Sequence, residues 1–221
     1  MLFVFDINET MLDLEPLDAV FARHLGDASL RPVWFDGLIH AALTTTAAGE
    51  YEDFGKLGGA SMRRLAQQRG IDIPDDAVME LGTTMKALSA HPEVPGALRA
   101  LANAGHRLVA LGNSPMATIE QQIMHAGLDT IERIYSAEQV GQLKPGRAPY
   151  MYVLEQEDVE APYAVMVAAH DWDIAGAQAA GMRTAFIGRE GRLPLAGRPA
   201  PTLVARDFTE LVERMDELVS A

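Results

Sequence analysis

The chain has no cysteine among its 221 residues, which excludes disulfides, thiolate nucleophiles and cysteine-ligated metals. It also lacks any apolar run approaching the roughly 18 residues of a membrane span. Positive charge is scarce: 18 Lys and Arg stand against 31 Asp and Glu, a formal net charge of −13. That deficit argues against a broad basic face for nucleic acid or an anionic membrane. A small anionic substrate stays open, because local groups rather than net charge decide its binding. No basic stretch precedes the apolar opening run over residues 1–5, and Asp6 interrupts the run too early for a signal peptide. A soluble cytoplasmic protein is the expectation.

What is present has two textures. From residue 93 onward, short apolar runs at 106–111, 131–135, 163–169, 183–187 and 202–205 alternate with stretches of helical spacing. Such alternation implies βαβ units and a mostly parallel sheet. In the last helical stretch Phe208, Leu211, Val212, Met215 and Val219 share one face, with Asp207 and Glu210 placed for a capping box. Residues 14–92 contain no convincing strand. Amphipathic patterns there fit helices around 17–25, 33–47, 51–69 and 75–90, punctuated by Gly58, Gly59, Gly70 and Pro74. Residues 188–201, rich in Gly, Pro and Arg, read as a loop. The expected fold class is α/β: a doubly wound, Rossmann-like parallel-sheet core of residues 1–13 and 93–221, with residues 14–92 as a helical insertion.

Polar groups gather where the predicted strands end. Asp6 closes the first strand and is followed by Asn8 and Thr10. Asn113 and Ser114 leave the second strand. Lys144 sits in a Leu-Lys-Pro turn with Tyr150 six residues on, and His170-Asp-Trp-Asp173 follows the strand ending near Ala169. Open α/β sheets bind ligands at the carboxyl ends of their strands, so these groups should converge. A carboxylate placed there can act as a covalent nucleophile.

In order and spacing, these segments resemble the haloacid dehalogenase superfamily of hydrolases, and within it the L-2-haloacid dehalogenase (type II) branch. The resemblance implies that Asp6 is the nucleophile and that Thr10 hydrogen-bonds it. It implies that Asn113 lies beside the substrate and that Lys144 neutralises charge around Asp6. Tyr150 matches a tyrosine six residues after that lysine. Asp173 would hold the lysine and help to activate water. The helical insertion would be the family's cap domain, and because such caps often pair, a homodimer is compatible with the resemblance. His170 falls where the dehalogenases carry asparagine; it could orient water or substrate, or make a structural hydrogen bond. Trp172 reads as packing.

The main rival reaction on this fold is a magnesium-dependent phosphatase acting on a small phosphate ester. The family's phosphatases protonate the leaving alkoxide with an acid two residues after the nucleophile, and here that residue is the amide Asn8. Losing a general acid costs on the order of 10²–10⁴ in rate. Their acidic metal ligands fall on Ala168 and Ala169, and magnesium needs hard oxygen donors. A halide leaves as a stable anion and needs neither proton nor metal. The expectation is therefore a cofactor-free hydrolase that converts a small 2-haloacid to a 2-hydroxy acid through an aspartyl ester. A non-catalytic small-molecule binder on the same fold is the alternative of another class. Several positions depart from the resemblance. The cap arginine that meets the halide is replaced by Phe35, with Arg31 one turn earlier as a candidate substitute. The substrate-binding serine of the second motif is Gly112, and the glycine before Thr10 is Glu9.

Overall fold

Leu2, Phe3, Val4 and Phe5 of the opening run are buried, because alternate side chains find apolar partners on opposite faces. The structure, a computed structural model, describes residues 1–219. Strand β1 (Leu2–Phe5) turns Phe3 and Phe5 toward one hydrophobic layer and Leu2 and Val4 toward another. A strand covered on both faces belongs inside a parallel sheet, and β1 is central. With β2 (Arg107–Gly112), β3 (Arg133–Ser136), β4 (Ala164–Ala168), β5 (Arg183–Ile187) and β6 (Leu203–Ala205) it forms a six-stranded sheet in the order β3-β2-β1-β4-β5-β6. Every pairing is parallel, as the alternating texture of the sequence requires. The strand order changes direction at β1, so the crevice for a ligand opens beside Asp6.

Helices α1 (Asp18–Leu25), α2 (Leu30–Ala47), α3 (Phe54–Gln68) and α4 (Asp75–Lys86) follow β1 without an intervening strand. Their buried apolar residues belong to one contiguous hydrophobic cluster with Phe3 and Phe5. Helices α5 (Val94–Asn103), α6 (Met116–His125), α7 (Arg147–Glu157) and α8 (Asp171–Ala179) alternate with the strands. Among the described residues no helix is long and apolar enough to cross a membrane.

Two local expectations differ from what is observed. The C-terminal pattern is not one helix: α9 (Phe208–Glu213) and α10 (Met215–Val219) meet at Arg214. There the Arg214 guanidinium reaches back to the Val204 carbonyl at 2.8 Å and to Glu210 and Glu217. Asp207 caps α9 by accepting from the Glu210 backbone, but the Glu210 carboxylate turns to Arg206 instead of closing the box. Gly58 and Gly59 lie inside α3 rather than breaking it. Their function is close approach: Trp34 donates to the Gly58 carbonyl at 2.9 Å, and a Cβ on Gly59 would stand 2.7 Å from Cγ1 of Val78.

This close approach predicts opposite outcomes for two helical glycines. Gly37 in α2 has open space where a Cβ would go, so Gly37→Ala should stabilise by about 0.5–1 kcal/mol. Gly59→Ala gains the same propensity but forces a stiff β-branched neighbour aside, at about 1–3 kcal/mol, and should destabilise. Urea unfolding of both variants measures the two signs.

A candidate active site at the β1 and β4 strand ends

The Lys144 ammonium stands between two carboxylates. Its Nζ donates to Asp6 Oδ1 at 2.8 Å, to Asp173 Oδ2 at 2.7 Å and to the Leu111 carbonyl at 2.9 Å. Those three bonds use all its protons, and its side chain is fully buried. The backbone around it is clasped by Asn113, whose Oδ1 accepts from the Lys144 N–H at 2.8 Å. Asp6 stays in the ladder, its N–H donating to Val167 at 3.0 Å, which aims its side chain off the strand end. Thr10 Oγ1 donates to Asp6 Oδ2 at 2.6 Å and accepts from the Ala169 N–H at 2.9 Å, tying the loop after β1 to the end of β4. Tyr150 donates to Asp173 Oδ1 at 2.6 Å. Gly176, three residues after Asp173, makes room for that ring, since a Cβ there would lie 2.5 Å from the Tyr150 hydroxyl.

This arrangement drives the two acids apart. Burial alone would raise the Asp6 carboxyl, but Lys144 and His170 override it and hold it well below the usual carboxylate range. Burial dominates at Asp173 and raises it despite Lys144. Burial opposes the charge on Lys144, yet its two carboxylate partners raise it above an ordinary lysine. The resting site thus favours the ionised form of Asp6 and makes Asp173 the more basic partner. Carboxylates separated by their surroundings in this way mark acid–base sites.

A second cation completes the shell. His170 Nδ1 lies 3.0 Å from Asp6 Oδ2 and Nε2 lies 2.9 Å from Glu9 Oε2. Burial pulls this imidazole down, but the two carboxylates push it up to about 9. Its ring is stacked between Trp172 (centroids 4.9 Å apart, 15°) and Phe35 (5.5 Å, 29°). Glu9 also accepts from Arg192, at 2.8 Å from Nε and 3.2 Å from an Nη. The Arg192 guanidinium lies 5.8 Å from the centre of the Phe35 ring. A cavity of about 420 Å³ opens outside this layer, lined by Phe35, Ile39, His170, Trp172 and Arg192 among others.

The structure therefore brings together Asp6, Thr10, Asn113, Lys144, Tyr150, His170 and Asp173, with Phe35 at the cavity wall. Arg31 is not brought in: it is paired with Asp18 at 2.5 Å and lines a different cavity, with His91 and Arg189. Tyr150 is fully buried behind Asp173, away from the cavity lining. Asn8 faces Ser114 at 3.3 Å and accepts from Gln122 at 2.9 Å. Asp173 does not cap α8; His170 holds the N-cap position. Room for a serine at position 112 is taken by Ile7 and Ile119, whose Cδ1 atoms would lie 2.9 and 2.8 Å from a Cβ. Arg192 and Gln122 escaped the sequence reading, and Glu9 entered it only as a departure from the resemblance, without a role. Glu9 had a signal, a bulky acid at a glycine position, and its φ of 65° is the conformation that favours glycine. Arg192 had none, since an arginine in a loop announces no partner.

The positions of the phosphatase metal ligands, Ala168 and Ala169, are buried and present only methyl groups. Among the described residues no group of three or more His, Asp or Glu is arranged to hold a metal ion. The Asp6 oxygens are already committed to Lys144, Thr10 and His170.

Known proteins similar to this chain include haloacid dehalogenases and a phosphatase. A family model described as haloacid dehalogenase-like hydrolase matches residues 39–187. The chain is 26% identical over 190 residues to haloacetate dehalogenase H-2 of Moraxella sp. (strain B), covering 85% of each. It is 30% identical over 181 residues to a phosphoglycolate phosphatase of Rhodospirillum rubrum, covering 80% of this chain and 68% of that one. Among solved structures it resembles an L-2-haloacid dehalogenase with a TM-score of 0.92 at 25% identity, over 97% of this chain and 98% of the other.

The shift at His170 fixes a pH window. Its folded pKa of about 9 exceeds the ordinary 6.5, so the folded state holds a proton that the unfolded chain gives up between those values. The contribution is whole below about 6.5 and lost as pH rises through about 9, amounting to about 3 kcal/mol. Denaturant unfolding should show wild-type stability falling across that window relative to His170→Asn. Parallel curves for the two proteins would refute the imidazolium.

Proposed function

The chain belongs to the haloacid dehalogenase-like hydrolases, on the L-2-haloacid dehalogenase branch, and on that premise we propose that it hydrolyses a small 2-haloacid to the 2-hydroxy acid through an ester on Asp6. One observation carries the reading. A buried, ionised carboxylate lies one residue behind a substrate-sized cavity, and the position where a phosphatase needs its acid is an amide locked by Gln122 and Ser114.

In the first step an Asp6 oxygen bonds to the substrate carbon next to the carboxylate, and the halide departs with the electron pair of the carbon–halogen bond. No proton is needed. Lys144 keeps Asp6 ionised and in place, and Asp173 and Asn113 keep Lys144 in place. In the second step water adds to the Asp6 carbonyl carbon. The charge that develops on the carbonyl oxygen meets a donor already present, the Lys144 ammonium where that oxygen is Oδ1 and the Thr10 hydroxyl where it is Oδ2, and neither need reorganise. Collapse releases the hydroxy acid and regenerates Asp6.

Arg192 takes the anion-binding part that the resemblance gives to an arginine at position 35. Its bonds to Glu9 and Asp36 use one proton on Nε and one on each Nη. A guanidinium has five N–H donors, so one on each terminal nitrogen is left for a carboxylate or halide in the cavity. In this reading residues 14–92 act as a cap over the core of residues 1–13 and 93–221, and its movement against the loop carrying Arg192 admits water and substrate. A likeness to a phosphatase is what one shared fold would give; Asn8, Ala168 and Ala169, where the resemblance puts the phosphatase acid and metal ligands, separate the two chemistries.

Halide release from chloroacetate or 2-chloropropionate should proceed undiminished in EDTA, and Asp6→Asn should abolish it. Magnesium-dependent release of phosphate from p-nitrophenyl phosphate, with no halide release, would replace this reading by the phosphatase. Arg192→Ala should raise KM for the haloacid at least tenfold, and unchanged kinetics would remove Arg192 from the site.

A further inference from the structure

We propose that His170, held by Glu9, is the base that takes the proton from the water attacking the Asp6 ester. The inference rests on the functional reading above and assigns a step that the family resemblance gives to Asp173. Access separates the two candidates. Both oxygens of Asp173 are bonded, one to Lys144 and one to Tyr150, and its side chain is fully buried behind them. His170 lines the cavity from which water arrives, with Nδ1 3.0 Å from the Asp6 carboxylate.

The surroundings of His170 fix both its plane and its tautomer. Trp172 and Phe35 clamp the ring faces. The Glu9 carboxylate can only accept, so it holds a proton on Nε2 and leaves the Nδ1 lone pair directed at Asp6 when the ring is neutral. Glu9 keeps this post in a left-handed backbone conformation, φ 65°, anchored from the other side by Arg192. The acid at position 9 and the histidine at position 170, two separate departures from the family pattern, are thus one device.

The catalytic cycle closes on protons. In the resting site both ring nitrogens are protonated and face carboxylates. Alkylation of Asp6 expels the halide and removes one of those charges, so His170 releases its Nδ1 proton to solvent. Water then bonds to the ester carbonyl carbon while Nδ1 accepts its proton. The same proton passes to the departing alkoxide oxygen as the ester C–O bond breaks. The Asp6 carboxylic acid returns its proton to Nδ1, restoring the resting pair. The sum is haloacid plus water giving hydroxy acid, halide and a proton.

Every charged or titratable group around His170 enters this balance. Asp6 and Glu9 touch it, Asp171 adjoins it on α8, Lys144 lies beyond Asp6, and Asp36, His40 and Arg192 face it across the cavity. Of these, alkylation changes Asp6.

Rapid-quench measurements with 2-chloropropionate, reading halide and intact protein mass together, test the assignment. His170→Asn should release one equivalent of halide per site, then slow 10²–10⁴-fold with the ester accumulating on the Asp6 peptide. That burst itself certifies a folded site. In Glu9→Gln the lost carboxylate lowers the pKa of His170, so the acidic limb of ester hydrolysis should move to lower pH, which a packing defect would not produce. His170→Asn that hydrolyses its ester at the wild-type rate overturns the proposal and leaves the functional reading standing. So does slowed halide release with no ester trapped. Wild-type protein that forms no Asp6 ester overturns the functional reading, and this assignment falls with it.

Discussion

Two carboxylates and an ammonium share one buried space, and that contact sets the terms for everything near it. Lys144 bonds Asp6 and Asp173 at 2.8 and 2.7 Å with none of the three side chains more than 6% exposed. Such a cluster adds little net stability, because desolvation offsets the Coulomb attraction. Removing one member is another matter, since it strands a buried charge at about 3–5 kcal/mol. The cluster is therefore a constraint on the fold more than a source of its stability. Asn113 clasps the lysine backbone, Thr10 ties Asp6 to the end of β4, and Tyr150 needs the missing Cβ of Gly176 to reach Asp173. Each contact joins elements distant in sequence and keeps Lys144 centred.

The site also solves a charge problem without a metal-ligand set. An ionised nucleophile in a buried place needs positive charge, and here ammonium and imidazolium supply it from opposite sides. Because His170 and Lys144 both act on Asp6, while burial dominates at Asp173, two chemically identical side chains end with different basicities. Geometry thus divides the labour: the strongly ionised carboxylate faces the cavity through His170, and the more basic one is sealed behind Lys144.

Much of this was legible in the sequence, for physical reasons. Strands buried on both faces must be continuous apolar runs, so β1, β4 and β5 announced themselves, and parallel strands place their carboxyl ends along one edge. Asp6, Asn113, Lys144 and Asp173 followed from that placement. The rest depended on three-dimensional partners that no local pattern encodes. Arg192 sits in an irregular loop and acquires meaning only from Glu9 and Phe35. Arg31 had the right helical offset but found Asp18 first. The Gly58-Gly59 pair looked like a break because the close packing of Trp34 and Val78 against α3 is invisible in one dimension. Asn8 drew notice as an amide where the resemblance puts an acid, and its bonds to Ser114 and Gln122 are a second feature that only the structure shows.

The central claim is that the substrate is carried for part of the cycle on an oxygen of Asp6. Single-turnover reaction of excess enzyme with 2-chloropropionate in H₂¹⁸O, followed by mass spectrometry of the Asp6 peptide and of the product, tests it directly. Attack of water on the ester carbonyl puts the heavy oxygen into the Asp6 carboxylate and leaves the first-turnover 2-hydroxy acid unlabelled. Label in the hydroxy acid with none in Asp6 would mean that water displaces the halide itself, and would contradict the account.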